Sequence, residues 1–425
     1  MSSVTKSIFR INPERHLLLL LVLFYGYTVI YIPHDGGDFT FWSAWSVYIR
    51  EHGIRHVYDL HRHPAPGEQP SFIYGPVYMY LLYFFGKWQG SVAQIQQNIH
   101  QLKVFILVFD MVGIWFALRY LRDTVNRPFW ALFLIFNIGL LYNTVSWGQV
   151  DGAIACLVLL AVHYALRGQT ALSAICVAVA LLIKPQPIIF LPVLGLLWLT
   201  VVLKKPLRHT VLSLAAVILV ILVLLFPFIQ AGTLVDYWAM LLDSASVYPV
   251  VSVNAGNLWN LLLTADPNTV SDEIVQFGLT YKQWGLLMAS IGYLVVLLPL
   301  LQQFYQIIRG ERSGYDAAQV LLIVGLIPIV FYFFNTQMHE RYAHPSVLFL
   351  AAYALSTKDF VPYIVASVAN FLVMDKFLRL FGLTRLYDYV TLEQVAILFL
   401  IVLIWGVFRL YKKRELVRQT EVVPV

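Results

Sequence analysis

The sequence has little charge and almost no cysteine. Of its 425 residues, 12% are charged, 60% are hydrophobic and two are cysteines. Such a composition is typical of a chain whose solvent is the lipid bilayer. Cys156 and Cys176 both fall within apolar stretches, so we expect neither a disulfide framework nor a paired-cysteine metal site.

Several motifs of soluble enzymes are also missing. The chain contains no phosphate-binding P-loop, no dinucleotide-binding glycine pattern, no HExxH and no GxSxG, so nucleotide chemistry and zinc or serine hydrolysis have no support. His56 and the HRH run at 61–63 are interpreted as polar loop residues, and we predict neither a metal site nor a cofactor. The formal net charge is +6, but the lysine and arginine residues lie mostly in short connections between apolar runs, which argues against a nucleic-acid partner.

Long apolar runs recur along the whole sequence, each long enough to cross about 30 Å of hydrocarbon as a helix. We predict about twelve transmembrane helices, at 16–33, 102–121, 128–145, 150–166, 170–184, 187–203, 208–230, 283–303, 318–335, 343–357, 359–374 and 391–411. No small-residue cleavage site follows the first run, so we interpret it as a retained span.

One further apolar segment, 71–88, is rich in aromatic residues and is ambiguous. If it does not cross, nearly all basic clusters lie on one side of the membrane, as the positive-inside rule requires. We therefore predict an interfacial helix in the outer leaflet and two cytoplasmic termini. Lys376, Arg379 and Arg385 then fall outside, against the rule.

The predicted architecture is a single all-α integral membrane domain over residues 1–425. It has two large outer loops, 34–101 with juxtamembrane helices and 231–282. We expect a multi-pass protein of the plasma membrane if bacterial or of the endoplasmic reticulum if eukaryotic. The lack of a retention signal favours the bacterial case.

Asp38 follows the first span in HDGGDFTFWSAW, where Gly36 and Gly37 allow a sharp turn. A carboxylate in a partly dry site is suited to taking a proton from a hydroxyl group. The alternative is that Asp38 is only a helix N-cap. Asp35 is the second candidate for the base.

Lys184 stands at the outer end of a span, just before two prolines that flank Gln186. The prolines should leave backbone carbonyls free, and an ammonium group at this position needs an anion, for which a lipid phosphate is suited. The alternative is a lysine that snorkels to ordinary headgroups.

The motif MHERY places His339, Glu340, Arg341 and Tyr342 at another span boundary. A guanidinium group can hold a phosphate through two hydrogen bonds, and a histidine can donate a third. The alternative is an interfacial ion pair between Glu340 and Arg341 that binds no ligand.

Two further polar and aromatic groups face the same predicted side. Trp147, Gln149 and Asp151 in SWGQVDG could stack on a sugar and bond to it, although an aromatic belt with an N-cap explains them equally well. The second group is SVNAGNLW, with Asn254, Asn257 and Trp259; its composition is similar.

Taken together, these motifs resemble the GT-C superfamily of polyprenol-phosphate-sugar-dependent glycosyltransferases. The similarity is to endoplasmic-reticulum glucosyltransferases acting on lipid-linked oligosaccharide and to bacterial mannosyltransferases related to GPI-anchor enzymes. GDF followed by Trp45 resembles the family's GDY segment with its general-base aspartate, and IYGPVYMY with Tyr74 resembles YPPL. NTVSWGQVDG, KPQP, NAGNLW and MHERY follow in the family's order. Two departures are Gly75 in place of the first proline, and the lack of a second acid beside Asp38, which weakens metal dependence.

The resemblance implies an inverting transfer of a hexose, mannose or glucose, from a polyprenyl-phosphate donor to a lipid-linked or glycan acceptor on the extracytoplasmic face. Asp38 would be the catalytic base. The substrate-binding residues would be Tyr74, Trp147, Gln149, Asp151, Lys184, Asn257, His339, Arg341 and Tyr342. The expected partners are the donor, the acceptor and membrane lipid.

The alternative from another functional class is a secondary transporter or a lipid or sugar flippase. Asp110 and His163 lie within predicted spans and favour it, because transporters place ionisable groups near the bilayer midplane. The other polar groups cluster at span ends and no internal repeat is visible, which favours chemistry at the membrane surface.

Overall fold

A computed structural model describes residues 13–32, 37–62, 74–121, 126–243, 248–379 and 382–412. Asp35 and His63 lie outside these ranges. The described chain is predominantly α-helical, which confirms the predicted fold class.

Twenty α-helices follow one another along the described residues. Their bounds are α1 Pro13–Tyr31, α2 Asp38–His52, α3 Asp59–Arg62, α4 Pro76–Gln89, α5 Val92–Gln97, α6 Lys103–Ala117, α7 Arg127–Ile135, α8 Ile138–Val145, α9 Asp151–Leu166, α10 Thr170–Leu181, α11 Leu191–Lys204, α12 Leu207–Ala231, α13 Leu234–Asp243, α14 Leu258–Leu262, α15 Tyr281–Ile308, α16 Ala317–Phe334, α17 Pro345–Thr357, α18 Val361–Leu378, α19 Thr384–Tyr387 and α20 Leu392–Tyr411.

Short 3₁₀ turns and two small strand pairs complete the secondary structure of this part of the chain. The 3₁₀ turns are Ile54–His56, Ile99–Leu102, Leu118–Tyr120 and Gln186–Phe190. Strand β1 (Ser252–Val253) pairs in parallel with β4 (Met338–His339), in the register Ser252 to Met338. Strand β2 (Val275–Gln276) pairs with β3 (Leu279–Thr280) in an antiparallel hairpin.

Seven helices in the described ranges are long and apolar enough to cross a membrane, and the count is eight if α7 and α8, bent by 50°, form one span. The seven are Ile99–Tyr120, Gln186–Lys204, Leu207–Ala231, Tyr281–Ile308, Ala317–Phe334, Val361–Leu378 and Leu392–Tyr411. Helices also occupy the other four predicted segments, but Leu19–Tyr31, α9, α10 and α17 are shorter apolar helices of 10–17 residues. The chain is therefore a multi-pass membrane protein, whereas twelve spans are not confirmed.

The core of the protein is built on α9, α16 and α17, in which nearly every side chain is buried. A helix that is apolar on all sides needs partners on all sides. Helix α9 packs on α6, α10 and α17, and α16 packs on α15, α17 and α20. By contrast, α12 leaves most of its apolar side chains exposed, as expected of a helix that faces lipid.

The ambiguous segment 71–88 includes all but the last residue of α4, a helix of 14 residues. At 1.5 Å per residue it is about 21 Å long, shorter than the hydrocarbon thickness. It packs against α2: the Ser46 hydroxyl donates to Leu82 O (3.2 Å) and Arg50 donates to Gly86 O (3.3 Å). That this helix lies in the interface, and that 34–101 and 231–282 are outer loops, stay predictions.

Candidate active site

The polar residues singled out in the sequence meet at one end of the helical core. Helices α2 and α9 begin at this end, α8 and α16 end near it, and the turns at 182–185 and 335–344 complete it. Contacts described below join Asp38, Tyr74, Trp147, Gln149, Asp151, Lys184, His339, Glu340, Arg341 and Tyr342 into one group, here called the polar cluster.

Asp38 is the first residue of α2, and the N-cap position belongs to Gly37, whose φ of 58° suits a glycine. The interpretation of Asp38 as an N-cap is therefore wrong. Its half-buried carboxylate instead accepts a hydrogen bond from the Gln149 amide and lies 3.8 Å from an Arg341 nitrogen. The glycine turn thus directs the carboxylate into the polar cluster.

Gln149 connects Asp38 to Tyr74. The Tyr74 hydroxyl donates to Gln149 Oε1 (3.0 Å), and the amide nitrogen of Gln149 donates to Asp38. A fully buried amide with both ends bonded has one orientation. Gln149 therefore fixes the direction in which the Asp38 carboxylate points.

Tyr74 is held in place by the backbone of the lysine–proline turn. The freed carbonyls predicted at this turn exist: Ile183 O accepts from Gly75 N (2.7 Å) and Leu182 O accepts from Val77 N (2.9 Å). The start of α4 is thereby pinned to the end of α10, beside Lys184.

Gly75 is required by this close approach. A Cβ atom at residue 75 would lie 2.8 Å from the Leu182 carbonyl carbon, closer than real Cβ contacts allow. A proline there would also lack the N–H that donates to Ile183 O. The departure from YPPL is thus explained by the backbone packing of this chain.

Lys184 is fully buried, so its interpretation as a lysine that snorkels to headgroups is wrong. Its Nζ lies 3.9 Å from Asp151 Oδ1 and faces the rings of Tyr74 (5.3 Å) and Tyr342 (5.4 Å), but has no hydrogen-bond partner among the described residues. Burial lowers the pKa of Lys184 to about 8, an effect that the Asp151 carboxylate opposes.

Arg341 lies between the carboxylates of the polar cluster. It donates to Glu340 Oε1 (2.7 Å), so the ion pair of the alternative interpretation is present, and it also lies 3.8 Å from both Asp38 Oδ2 and Asp151 Oδ2. Its guanidinium group stands over the Trp147 ring at 5.1 Å. The Nε atom has no hydrogen-bond partner in the described part of the chain, so Arg341 retains a free donor.

Two neighbours of Arg341 have shifted pKa values. Burial raises the pKa of Glu340 despite the adjacent guanidinium, and burial together with Arg341 and Lys184 keeps the pKa of His339 well below its usual range. His339 is therefore neutral near pH 7. Its ring packs on that of Tyr342 at 5.0 Å.

Asn257 is not joined to the polar cluster by any hydrogen bond or ion pair between described residues. It is the N-cap of α14, where its side chain accepts from Trp259 N and its backbone N–H donates to Asn260 Oδ1. The Trp259 indole donates to Phe334 O and Asn335 O, so this segment braces the turn that carries MHERY. A direct role of Asn257 in substrate binding stays a prediction.

Two residues of this region were missed in the sequence. Lys103 is completely buried and donates to Ile32 O and Val145 O, each at 2.9 Å, which ties the ends of α1 and α8 beside the SWGQVDG turn. His344, also fully buried, bonds through Nε2 to Leu140 O (3.1 Å). The available signal was the one used for Lys184, namely an ionisable residue at the edge of an apolar run.

The arrangement combines a positioned carboxylate with two buried cations that have unused donors. Buried N–H groups without partners cost free energy, and in the polar cluster they belong to Lys184 and Arg341. An anion placed between these two residues would satisfy both. The cluster can therefore hold an anionic group close to a carboxylate able to accept a proton.

The sequence matches one known protein family. The model of glycosyltransferase family 87 matches residues 72–301, more than half of the chain. The match includes Tyr74, Gln149, Asp151 and Lys184, whereas Asp38 and Arg341 lie on either side of it. No curated protein matches the chain significantly.

Proposed function

The chain belongs to glycosyltransferase family 87, and from this premise we propose that it moves a hexose, mannose or glucose, from a polyprenyl-phosphate donor to a glycan or glycolipid acceptor with inversion at the anomeric carbon. The observation that carries the proposal is the junction of Asp38 with Lys184 and Arg341 in one buried group. A base and an anion-binding pair are the two parts that such a transfer needs.

In the proposed reaction an acceptor hydroxyl attacks the anomeric carbon of the donor. Asp38 takes the hydroxyl proton, a new glycosidic bond forms, and the bond between the anomeric carbon and the phosphate oxygen breaks. The bonding electrons leave with the lipid phosphate. Gln149 keeps the Asp38 carboxylate in place through its amide hydrogen bond.

Lys184 and Arg341 stabilise the charge that develops on the departing phosphate. Preorganised cations in a dry site act strongly because water does not screen them. Lys184 is 1% exposed and Arg341 9%. We therefore assign the donor phosphate to the space between their side chains, with Trp147 and Tyr342 as the aromatic walls.

The active site is assigned to the extracytoplasmic side of the membrane. Arg167, Lys204, Lys205, Arg309 and Arg312 lie at the helix ends opposite the polar cluster, and basic residues favour the cytoplasmic side. The membrane would be the plasma membrane in a bacterium or the endoplasmic reticulum in a eukaryote.

Family membership favours transfer over transport, although the Asp110 carboxylate is buried within the helical core. The test is to incubate purified protein in lipid nanodiscs with polyprenyl-phosphate-mannose or polyprenyl-phosphate-glucose and octyl glycosides. We expect release of polyprenyl phosphate together with a new glycoside. Failure of both donors to release polyprenyl phosphate would refute this donor class.

A further inference from the structure

A cavity of about 770 Å³ lies next to the polar cluster, a size within the range of about 300–1,000 Å³ for small-molecule sites. Its walls come from three places in the chain: the 254–268 loop, the end of α18 and the start of α20. Nothing in the reaction described above uses it.

Two contacts join this cavity to the polar cluster. Phe377, which lines the cavity, stacks on Trp147 with the ring centroids 5.5 Å apart and the planes 8° from parallel. Asn254, also in the wall, pairs with His339 in an antiparallel bridge. The Arg341 guanidinium group stands over the Trp147 ring, so Trp147 contacts both the cavity wall and a cation of the proposed phosphate site.

The side chains of the cavity differ in character from those of the polar cluster. Lys376 and Arg379 are balanced by Asp266 and Glu393, and Asn254, Asn260 and Asn268 add amide groups. Because the opposite charges offset one another, the cavity has no surplus of positive charge to select an anion. Carboxylates, amides and one exposed aromatic ring suit a neutral ligand that is rich in hydroxyl groups.

Part of this polar lining is already occupied, and part is free. Lys376 donates to Tyr387 O (3.3 Å) and Val390 O (2.8 Å), so it holds the turn before α20. Asn268 bonds to Asn254 N and to Asp266. Among the described residues, the side chains of Arg379 and Glu393 have no hydrogen-bond or ion-pair partner, and both are exposed.

We propose that this cavity binds the sugar portion of the acceptor as an uncharged polyol, and that Arg379 and Glu393 select it through hydrogen bonds to its hydroxyl groups. The inference rests on the proposed function, since it places the acceptor beside the donor phosphate site. The Phe377–Trp147 stack forms the boundary between the two sites, so a hydroxyl group that reaches past it approaches Asp38.

The test uses Glu393→Gln and Arg379→Asn in the full-length protein. Asparagine is chosen because residue 379 has a φ of 53°, a left-handed conformation that asparagine tolerates. Glu273→Gln is the matched control, since Glu273 is an exposed glutamate that pairs with Lys282 and does not line the cavity. The probes are octyl α-mannoside and octyl β-glucoside.

Binding of each probe is measured by saturation-transfer NMR, and KM for probe and donor by turnover. We expect both cavity variants to weaken probe binding and to raise the acceptor KM about tenfold, the usual effect of losing a charge-assisted hydrogen bond. The donor KM should not change, and Glu273→Gln should match the parent.

Two results overturn the proposal. One is the absence of saturation transfer to both probes in the parent protein. The other is unchanged probe binding in both cavity variants. Because NMR binding needs no donor, a protein that binds the probes but releases no polyprenyl phosphate would refute the proposed function and leave the cavity assignment standing.

Discussion

At the scale of single residues, the proposed chemistry depends on how three carboxylates and two cations share one space. Asp38, Asp151 and Glu340 surround Arg341, and Lys184 faces Asp151. Removing a cation leaves a buried carboxylate uncompensated, which is costly, whereas removing the charge of Asp38 affects only a half-buried group. The residues therefore differ in how cleanly they can be tested.

Asp38→Asn is the cleanest test of the general base. The asparagine oxygen can still accept from Gln149, and no helix cap is lost because Gly37 holds that position. We expect normal thermal unfolding and donor binding but a turnover about 100-fold lower or more, since proton transfer is lost. Turnover is measured as polyprenyl phosphate released per second. Asp35→Asn is the control, with little effect; a stable Asp38→Asn protein with near-parent turnover would exclude Asp38 as the base.

Donor affinity should depend on the protonation of Lys184. Its pKa of about 8 means that the ammonium form dominates below pH 8 and is lost as pH rises through that value. A polyprenyl-phosphate sugar is a phosphodiester that stays singly charged over this range, and Arg341 stays cationic. We expect the donor Kd to rise about tenfold from pH 7 to pH 9, measured by titration of the purified protein with donor.

The matched variants for this pH dependence are Lys184→Met and Lys282→Met. Lys184→Met should bind donor weakly at every pH and show a flat profile, because the titrating cation is gone. Lys282 belongs to an exposed ion pair, so Lys282→Met should keep the parent profile. If the donor Kd of Lys184→Met still rose as pH increased through 8, the titrating group would be another residue.

At the scale of elements, the site depends on how α4 is attached to the turn after α10. Two backbone hydrogen bonds, from Gly75 to Ile183 and from Val77 to Leu182, carry this attachment. They place Tyr74 at the polar cluster, where its hydroxyl orients Gln149. The geometry of Asp38 is therefore set through a chain of contacts that begins at a break between helices.

Gly75→Ala tests this attachment. The added Cβ has no space beside the Leu182 carbonyl, so the two segments must move apart. We expect a loss of stability of about 1–3 kcal/mol, as for other overpacked positions, together with a reduced kcat/KM. Both are measured on purified protein, by thermal unfolding and by turnover.

Gly195→Ala in α11 is the control for Gly75→Ala. A Cβ atom there meets nothing within 4 Å, and alanine favours a helix over glycine by about 0.5–1 kcal/mol. Its stability should be unchanged or slightly higher. Equal stability and turnover of the two variants would show that the contact at Gly75 does not position the site.

Much of this structure could be predicted from the sequence, and the exceptions share a physical cause. Apolar runs identified all seven helices that are long and apolar enough to cross a membrane, because hydrophobic length is what defines them. The motifs identified Asp38, Lys184 and Arg341, because ionisable residues at the edge of such runs need a reason to be there. Three findings could not be predicted: the N-cap is Gly37 and not Asp38, residue 75 has no room for a Cβ atom, and Lys103 bonds to a backbone carbonyl. They depend on backbone angles and on carbonyls distant in the sequence, which a residue pattern does not contain.

At the scale of the whole molecule, the two ends of the helical bundle differ in chemistry. The polar cluster and the adjoining cavity lie at one end, where α9 and α20 begin. Arg167, Lys205 and Lys412 lie at the opposite end, just past the ends of α9, α11 and α20. Basic residues favour the cytoplasmic side, so the asymmetry predicts a site that faces away from the cytoplasm.

The orientation can be measured by cysteine labelling on intact cells or sealed vesicles. Cys156 and Cys176 are first changed to alanine, since both are free thiols. Single cysteines are then placed at two exposed positions, Gln96→Cys in α5 and Glu311→Cys after α15. If α4 does not cross, these two positions lie on opposite sides of the membrane, and an impermeant maleimide should label only Gln96→Cys from outside.

The control is labelling after detergent permeabilisation, which should modify both cysteines and so shows that each thiol is reactive. If α4 did cross, residues 92–101 would move to the cytoplasmic side and every later connection would change sides, because each span reverses the direction of the chain. Labelling of Glu311→Cys from outside with protection of Gln96→Cys would therefore contradict both the interfacial position of α4 and the extracytoplasmic assignment of the active site. Labelling as expected would place Asp38, Lys184 and Arg341 on the side opposite the basic helix ends.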